Sequence, residues 1–216
     1  MKICVYGAGA VGGLIAAWLA RSGEDVSVVA RGAALDAIRA GGLRVRSGGK
    51  IETFAVRADS APAKLGAQDY VVVAVKAQSL AEVASRIAPL VGAGTSIITA
   101  MNGVPWWFFD RLRFGEGSQR LESLDPGGGL SRAMPTERLV GCVIHLAAST
   151  RSVGMARESL PPGSSDSSRL SRPWRPWKNH HGTPFIAVTT EVSRPSNGAI
   201  ESATSVRFCA LTVTKT

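Results

Sequence analysis

The sequence predicts an α/β fold in which helices cover both faces of a mainly parallel sheet. Two patterns in the first 155 residues support this prediction. Short apolar runs rich in β-branched residues are typical of buried strands, and helix-like segments lie between them. Such alternation is typical of strand–helix–strand units, whose strands are parallel. The predicted strands are residues 3–6, 25–31, 69–77, 95–104 and 139–149, and the predicted helices are 10–23, 33–43 and 78–90.

The first unit contains a glycine motif between its strand and its helix. Gly7, Gly9 and Gly12 form G-x-G-x-x-G directly after the first apolar run. In this context the first glycine permits a tight turn, the second admits a pyrophosphate, and the third allows close helix–sheet packing. The unit predicts a Rossmann-like dinucleotide site, and a glycine turn without a ligand is the alternative. The predicted cofactor-binding residues of the turn are Gly7, Ala8, Gly9, Ala10, Val11 and Gly12.

The end of the second strand predicts which dinucleotide is bound. A site selective for NAD usually places Asp or Glu here, where the carboxylate accepts the ribose 2′-hydroxyl. This chain has Ala30, Arg31 and Gly32 instead, and an arginine can pair with a 2′-phosphate through its fork of donors. We therefore predict NADP(H) as the cofactor. The alternative is that Arg31 is only a solvated residue at the strand end.

Two further polar side chains follow predicted strands at the edge where ligands bind in such sheets. Lys76 follows four valines and an alanine, and Asn102 ends another apolar run. Burial of an unpaired ammonium would be costly, so Lys76 either marks the exit of the strand into solvent or faces an anionic ligand. Because ligands sit beyond the carboxyl ends of parallel strands, we predict that Lys76 and Asn102 line the site.

Two more segments complete the predicted domain. Residues 43–58 alternate around a Ser-Gly-Gly sequence and predict a β-hairpin. Residues 105–138 predict a long insertion, of the kind that is usually functional or mobile. Its aromatic side chains either cover a cofactor or substrate or pack locally, and they are Trp106, Trp107, Phe108 and Phe109.

Composition excludes several classes of protein. The 216 residues are 45% hydrophobic and 19% charged, which is typical of a soluble globular chain, and no apolar run is long enough to span a membrane. Cys4, Cys142 and Cys209 lie far apart, so they predict neither a disulfide framework nor a metal site. We expect a cytoplasmic protein that binds no metal.

Several motifs in order along the first 155 residues resemble those of the ketopantoate reductase (2-dehydropantoate 2-reductase) family. The lysine and the Asn-Gly pair, in sequence with the glycine turn, are more specific than the turn alone. The matching segments are residues 7–13, Arg31, 75–78, 101–107, 123–128 and 141–149.

The resemblance implies NADPH-dependent reduction of 2-dehydropantoate to pantoate, on the route to coenzyme A. It implies that Lys76 and Asn102 lie beside the nicotinamide and the substrate, and we predict both as catalytic residues and cofactor contacts. The implied partner is a small 2-oxo acid, with no nucleic acid and no membrane. A homodimer is possible, but the sequence does not support it. The family's general-acid lysine and a substrate-binding glutamate belong to a helical carboxyl-terminal domain.

Residues 156–216 are expected to be an irregular, basic tail rather than that helical domain. Proline and serine interrupt the segment too often for a long amphipathic helix. The net charge is +9, of which residues 151–216 hold +5 and residues 1–150 hold +4. We interpret the tail as a truncated or frameshifted remnant and expect little or no reductase activity. A divergent tail and a nucleic-acid-binding segment with interleaved arginines and tryptophans are the alternatives.

Overall fold

The computed structural model describes residues 1–47, 50–108, 121–144, 148–152 and 155–158, and the backbone of 177–178 and 184–185. The strands are β1 (Lys2–Tyr6), β2 (Asp25–Val29), β3 (Leu43–Ser47), β4 (Lys50–Phe54), β5 (Arg57–Asp59), β6 (Gln68–Val73), β7 (Val91–Ala100), β8 (Leu139–Cys142), β9 (Ala148–Ser152), β10 (Met155–Glu158), β11 (Trp177–Lys178) and β12 (Pro184–Phe185). The α-helices in these residues are α1 (Ala10–Arg21), α2 (Gly32–Gly41), α3 (Leu80–Arg86) and α4 (Gly129–Ala133).

Six strands form the main sheet, in the order β5-β2-β1-β6-β7-β8. Every neighbouring pair in this sheet is parallel. β1 lies near the middle, and the strand order reverses beside it, between β1 and β6. This is the order of a doubly wound dinucleotide-binding sheet, in which ligands bind at that reversal. The predicted fold class is confirmed.

Apolar side chains cover the sheet on both faces. In β1, Ile3 and Val5 pack with α1 and α2 on one face, while Cys4 and Tyr6 pack with α3 and α4 on the other. Successive side chains of a strand point to opposite faces, so a strand buried on both faces is an uninterrupted apolar run. This explains why the apolar runs predicted the strands well.

A second sheet packs on the other side of α1. Its order is β4-β3-β10-β9, and β3 and β4 form the predicted hairpin, with Leu43 opposite Phe54. Leu43 and Ala156 are buried with Leu14 of α1 in one cluster. α1 is therefore enclosed between two sheets. β10 runs across residue 155, where we placed the domain boundary; that boundary stays a prediction.

Two predicted segments differ from the structure. The predicted helix over 78–90 is broken, because only Leu80–Arg86 is α-helical and one-turn 3-10 helices precede and follow it. Pro89 lacks a backbone N–H and cannot continue an α-helix. The apolar run predicted as one strand over 139–149 holds the two strands β8 and β9, with residues 145–147 outside the described part.

The insertion over 105–138 is partly structured. It contains α4, and Leu130 and Met134 are buried in the same apolar cluster as Trp106. For Trp106 the structure therefore favours local packing, whereas Phe108 is exposed. Phe109 and the rest of 109–120 lie outside the described residues.

The remaining expectations concern cysteines, membranes and the tail. Cys4 is buried, and burial raises the pKa of its thiol to about 11, so the thiol stays protonated at neutral pH. Across the described part of the chain, no helix combines the length and apolar character that a membrane crossing requires. In the tail, β11 pairs antiparallel with β12. The predictions on the other residues of 159–216 fall outside the described part.

Candidate dinucleotide site

The glycine turn joins β1 to α1 by a close approach of backbone segments. Gly7 has a φ of +110°, a conformation that side chains disfavour, and a Cβ there would lie 2.8 Å from the Ala74 carbonyl oxygen. At Gly12, a Cβ would overlap the carbonyl oxygen of Gly7. The Gly7 N–H donates to the Val29 carbonyl oxygen at 3.0 Å, which ties the turn to β2. These contacts fix the turn in place.

Gly9 differs from its neighbours because it faces open space. Apart from Gly9 and its two chain neighbours, the described residues place no atom within 4 Å of the Cβ position at Gly9, and no side chain among them caps the amino terminus of α1 that begins there. The first N–H groups of a helix have no partner within the helix and favour an anion. The turn therefore leaves an open space at the amino terminus of α1, which we call the cradle. A side chain at position 9 would fill this space, whereas glycine leaves it open, as the binding of a pyrophosphate requires.

A pocket of about 340 Å³ opens in front of this cradle. The glycine turn, the residues after β2 and β6, and α3 line it. Three cationic side chains, Arg31, Lys76 and Arg86, and one anionic side chain, Glu82, lie in the lining. An excess of positive charge beside a helix amino terminus suits a ligand that carries several phosphates.

Arg31 lies two residues after β2, where it precedes the first turn of α2. Its Nη1 donates to both carboxylate oxygens of Glu82, at 2.7 and 2.6 Å. The Arg31 side chain is 69% exposed and that of Glu82 is 42% exposed. Arg31 therefore lines the pocket, where an acid holds its guanidinium, and its contact with a 2′-phosphate stays a prediction.

Lys76 lies three residues after β6 and lines the pocket. Lys76 is exposed, and its ammonium makes no hydrogen bond or ion pair with the described residues. Its carbonyl oxygen accepts from the Ser79 N–H at 2.8 Å, which fixes its backbone at the start of the next helical turn. Lys76 therefore lies at the exit of the strand into solvent and also lines the pocket, and its contact with an anionic ligand stays a prediction.

Asn102 follows β7 at the same edge of the sheet, but it does not line this pocket. Its side-chain amide donates to the Ile144 carbonyl oxygen at 2.9 Å, and its carbonyl accepts from the Ile144 N–H at 2.7 Å. This paired contact joins the chain after β7 to the chain after β8. In this structure the Asn102 side chain is hydrogen-bonded to the backbone of Ile144, and its catalytic role stays a prediction.

Among the pocket side chains that sequence analysis did not identify are Tyr6, Glu82 and Arg86. Nη2 of Arg86 donates to the Ser60 carbonyl oxygen at 2.7 Å. Tyr6 is 6% exposed, and its buried hydroxyl has no hydrogen-bond partner among the described residues. Burial raises the pKa of Tyr6. The only sequence signal for the two charged residues is their position on the polar face of the segment 78–90.

No metal site accompanies the pocket in the described part of the chain. Groups of three or more His, Cys, Asp or Glu side chains with a suitable arrangement do not occur in those residues.

Comparisons with known proteins agree with this geometry. The family described as ketopantoate reductase PanE/ApbA matches residues 3–105. A 2-dehydropantoate 2-reductase of Mesorhizobium japonicum is 46% identical over 158 residues, which make up 73% of this chain and 48% of that protein. A crystal structure described as a ketopantoate reductase of Ralstonia solanacearum is 51% identical, with a TM-score of 0.70 over 73% of this chain and 49% of that one.

A more distant structure shares the fold alone. D-mandelate dehydrogenase in a ternary structure with NADH is 20% identical, with a TM-score of 0.59 over 74% of this chain and 46% of that chain. This chain spans about half the length of the curated relative from M. japonicum. Residues 3–105 therefore match the ketopantoate reductase PanE/ApbA family, and the first part of this chain is similar to about half of a 2-dehydropantoate 2-reductase.

Proposed function

We propose that this chain binds NADP(H) in the pocket and acts in the reduction of a 2-oxo acid, 2-dehydropantoate, to pantoate. The observation that supports this most is the open cradle at Gly9 beside three cationic side chains. The name of the M. japonicum relative supports the substrate, since 46% of aligned residues are identical. The product would belong to pantothenate and coenzyme A biosynthesis.

Different residues of the pocket would bind different parts of the cofactor. The glycine turn and the amino terminus of α1 would bind the pyrophosphate through backbone N–H groups. Arg31 would pair with the 2′-phosphate, which is the reason for proposing NADP(H) rather than NAD(H). The fit rests on the free space at Gly9 and on the exposed guanidinium of Arg31.

When bound, the cofactor would supply hydride chemistry at the ketone carbon, and residues of this chain would supply charge and hydrogen bonds around the reacting groups. The Lys76 ammonium has no partner among the described residues and lies at the sheet edge, so it can hold an anionic group of the substrate or cofactor. Asn102 could donate a hydrogen bond to a ligand only after its amide leaves the Ile144 carbonyl oxygen. Lys76 therefore has the stronger geometric support of the two proposed catalytic residues.

A non-catalytic NADP(H)-binding module is a second candidate function. Among the described residues, those that line the pocket lie between Tyr6 and Arg86, within the first half of the chain. The matched relative is about twice as long as the part that this chain covers. Nucleotide binding and turnover are thus separable properties of this chain.

The test measures binding and turnover on the same protein. NADPH binding is followed by calorimetry and by the melting temperature, and turnover by NADPH oxidation with 2-dehydropantoate. Binding with turnover supports the reductase, and binding without turnover supports the module. If NADPH changes neither heat nor melting temperature at millimolar concentration, both candidate functions are wrong.

A further inference from the structure

The pocket contains an acid that the strand-end sequence does not reveal. Selectivity for NAD is usually set by an Asp or Glu after the second strand, and this chain has Arg31 there. In the structure, Glu82 of α3 occupies the same neighbourhood, with both carboxylate oxygens within 2.7 Å of Nη1 of Arg31. The pocket therefore presents a cation and an anion at the position where such sites distinguish a ribose 2′-hydroxyl from a ribose 2′-phosphate.

Glu82 lies between two arginines. Besides Arg31, it approaches Nη1 of Arg86 at 3.6 Å, one turn along α3. Arg86 is also held by the Ser60 carbonyl oxygen, at 2.7 Å. The carboxylate thus neutralises part of the positive charge that a phosphate would meet.

The two forms of the dinucleotide respond differently to this carboxylate. A 2′-phosphate must displace the Glu82 carboxylate from Arg31. It then lies near that carboxylate, which carries the same sign of charge, and the repulsion disfavours binding. A 2′-hydroxyl can donate to the carboxylate, as it does to the acids of NAD-selective sites. Both partners are more than one-third exposed, so the ion pair is weak and a ligand can displace it.

We propose that Glu82 is a specificity-determining residue that weakens the preference for the phosphorylated dinucleotide set by Arg31. The proposal rests on the proposed nucleotide binding in this pocket. It goes beyond that function because it assigns an opposing role to a residue on another element. It follows that the wild-type chain discriminates less between NADPH and NADH than its arginine alone would dictate.

The test replaces Glu82 by glutamine, which keeps size and hydrogen bonding but removes the charge. Dissociation constants for NADPH and NADH are measured by calorimetry on wild type and Glu82→Gln. We expect NADPH to bind about threefold to tenfold more tightly to the variant, and NADH equally or more weakly. In an Arg31→Ala background the gain for NADPH should shrink, since the competition for that guanidinium is gone.

Glu52→Gln is the matched control. Glu52 pairs with Arg21 on the surface away from the pocket, and its side chain is 44% exposed, similar to Glu82. This variant should leave both dissociation constants unchanged. Glu82→Ala is measured in parallel, and melting temperatures without ligand verify that each variant folds.

The outcomes separate this proposal from the function on which it rests. If wild type binds a dinucleotide and Glu82→Gln leaves the NADPH-to-NADH ratio unchanged, Glu82 has no role in specificity. A lowered NADPH affinity in folded Glu82→Gln and Glu82→Ala would mean that Glu82 positions Arg31 favourably, which also overturns the proposal. If wild type binds neither dinucleotide, the proposed function itself is wrong.

Discussion

The glycine turn and the charged rim of the pocket are built in opposite ways. The turn, residues 7–12, uses backbone atoms fixed between β1, β2 and β6. The charged rim, which we define as Arg31, Lys76, Glu82 and Arg86, uses exposed side chains on three different elements. Steric contact dominates in the first region and screened electrostatics in the second.

The difference predicts how each region responds to change. In a close-packed turn one added methyl group meets backbone that cannot move away cheaply. At an exposed rim a substitution alters charge without altering the fold, because exposed ion pairs contribute little to stability. Changes in the turn should therefore affect folding, and changes in the rim should affect ligand choice.

The largest effect is expected from Gly12→Ala. Its Cβ would overlap the Gly7 carbonyl oxygen, so α1 must move away from the turn. We expect the free energy of unfolding to fall by about 3 kcal/mol, measured by urea denaturation. Gly41→Ala, at the end of α2 with open space around its Cβ, is the control and should change little. Equal stability of the two variants would show that the turn is not tightly packed.

Gly9→Ala should separate binding from folding within the turn itself. No atom lies within 4 Å of this Cβ, so the free energy of unfolding should change little. The methyl group would occupy the cradle, and we expect NADPH affinity to fall by about tenfold or more, or ~1.4 kcal/mol. Calorimetry provides the affinity. Unchanged NADPH affinity in this variant would show that the pyrophosphate does not bind in the cradle.

Arg31→Ala should affect the rim alone. Loss of the guanidinium should weaken NADPH binding by about fivefold and leave NADH binding nearly constant. Arg21→Ala is the matched control, because Arg21 also pairs with an exposed glutamate, Glu52, but lies outside the pocket. A parallel loss of NADPH and NADH affinity would contradict a contact between Arg31 and the 2′-phosphate.

The same contrast explains what the sequence could predict. The strands and the glycine turn follow from local patterns, because buried strands are apolar and the turn requires glycines at fixed spacing. Gly7 and Gly12 are accordingly placed as predicted, at the end of β1 and in the first turn of α1. Arg31 and Lys76 were also predictable as pocket residues, since they lie two and three residues after the ends of β2 and β6.

Side chains that reach the pocket from a helix were not predictable. Glu82 and Arg86 come from α3, and their direction depends on how α3 packs on the sheet. The contact of Asn102 was not predictable either: its position after β7 follows from the sequence, but the bonding of its amide to the backbone at Ile144 does not. That pairing depends on where β8 ends, and Ile144 lies 42 residues further along the chain than Asn102.

The smallest predicted effect concerns Tyr6, where the turn and the rim meet. Its hydroxyl is buried without a partner among the described residues, so Tyr6→Phe removes a polar group whose burial is unfavourable. We expect the free energy of unfolding to rise by about 1 kcal/mol. Tyr70→Phe is the control, because Tyr70 is about as buried, at 8% exposed, but its hydroxyl is not a buried unpaired group.

The pH dependence of the Tyr6→Phe variant gives a sharper test. Burial raises the pKa of Tyr6 above its ordinary value of 10.0. The unfolded state therefore loses the phenolic proton first, and wild-type stability falls as pH rises above about 10. Tyr6→Phe lacks this loss, so its advantage over wild type should grow between pH 9 and about pH 11, measured by urea denaturation. A constant or shrinking difference in the free energy of unfolding between the variant and wild type would show that the Tyr6 hydroxyl is hydrated in the pocket. The side of the turn that faces the pocket would then be more hydrated than its packing suggests.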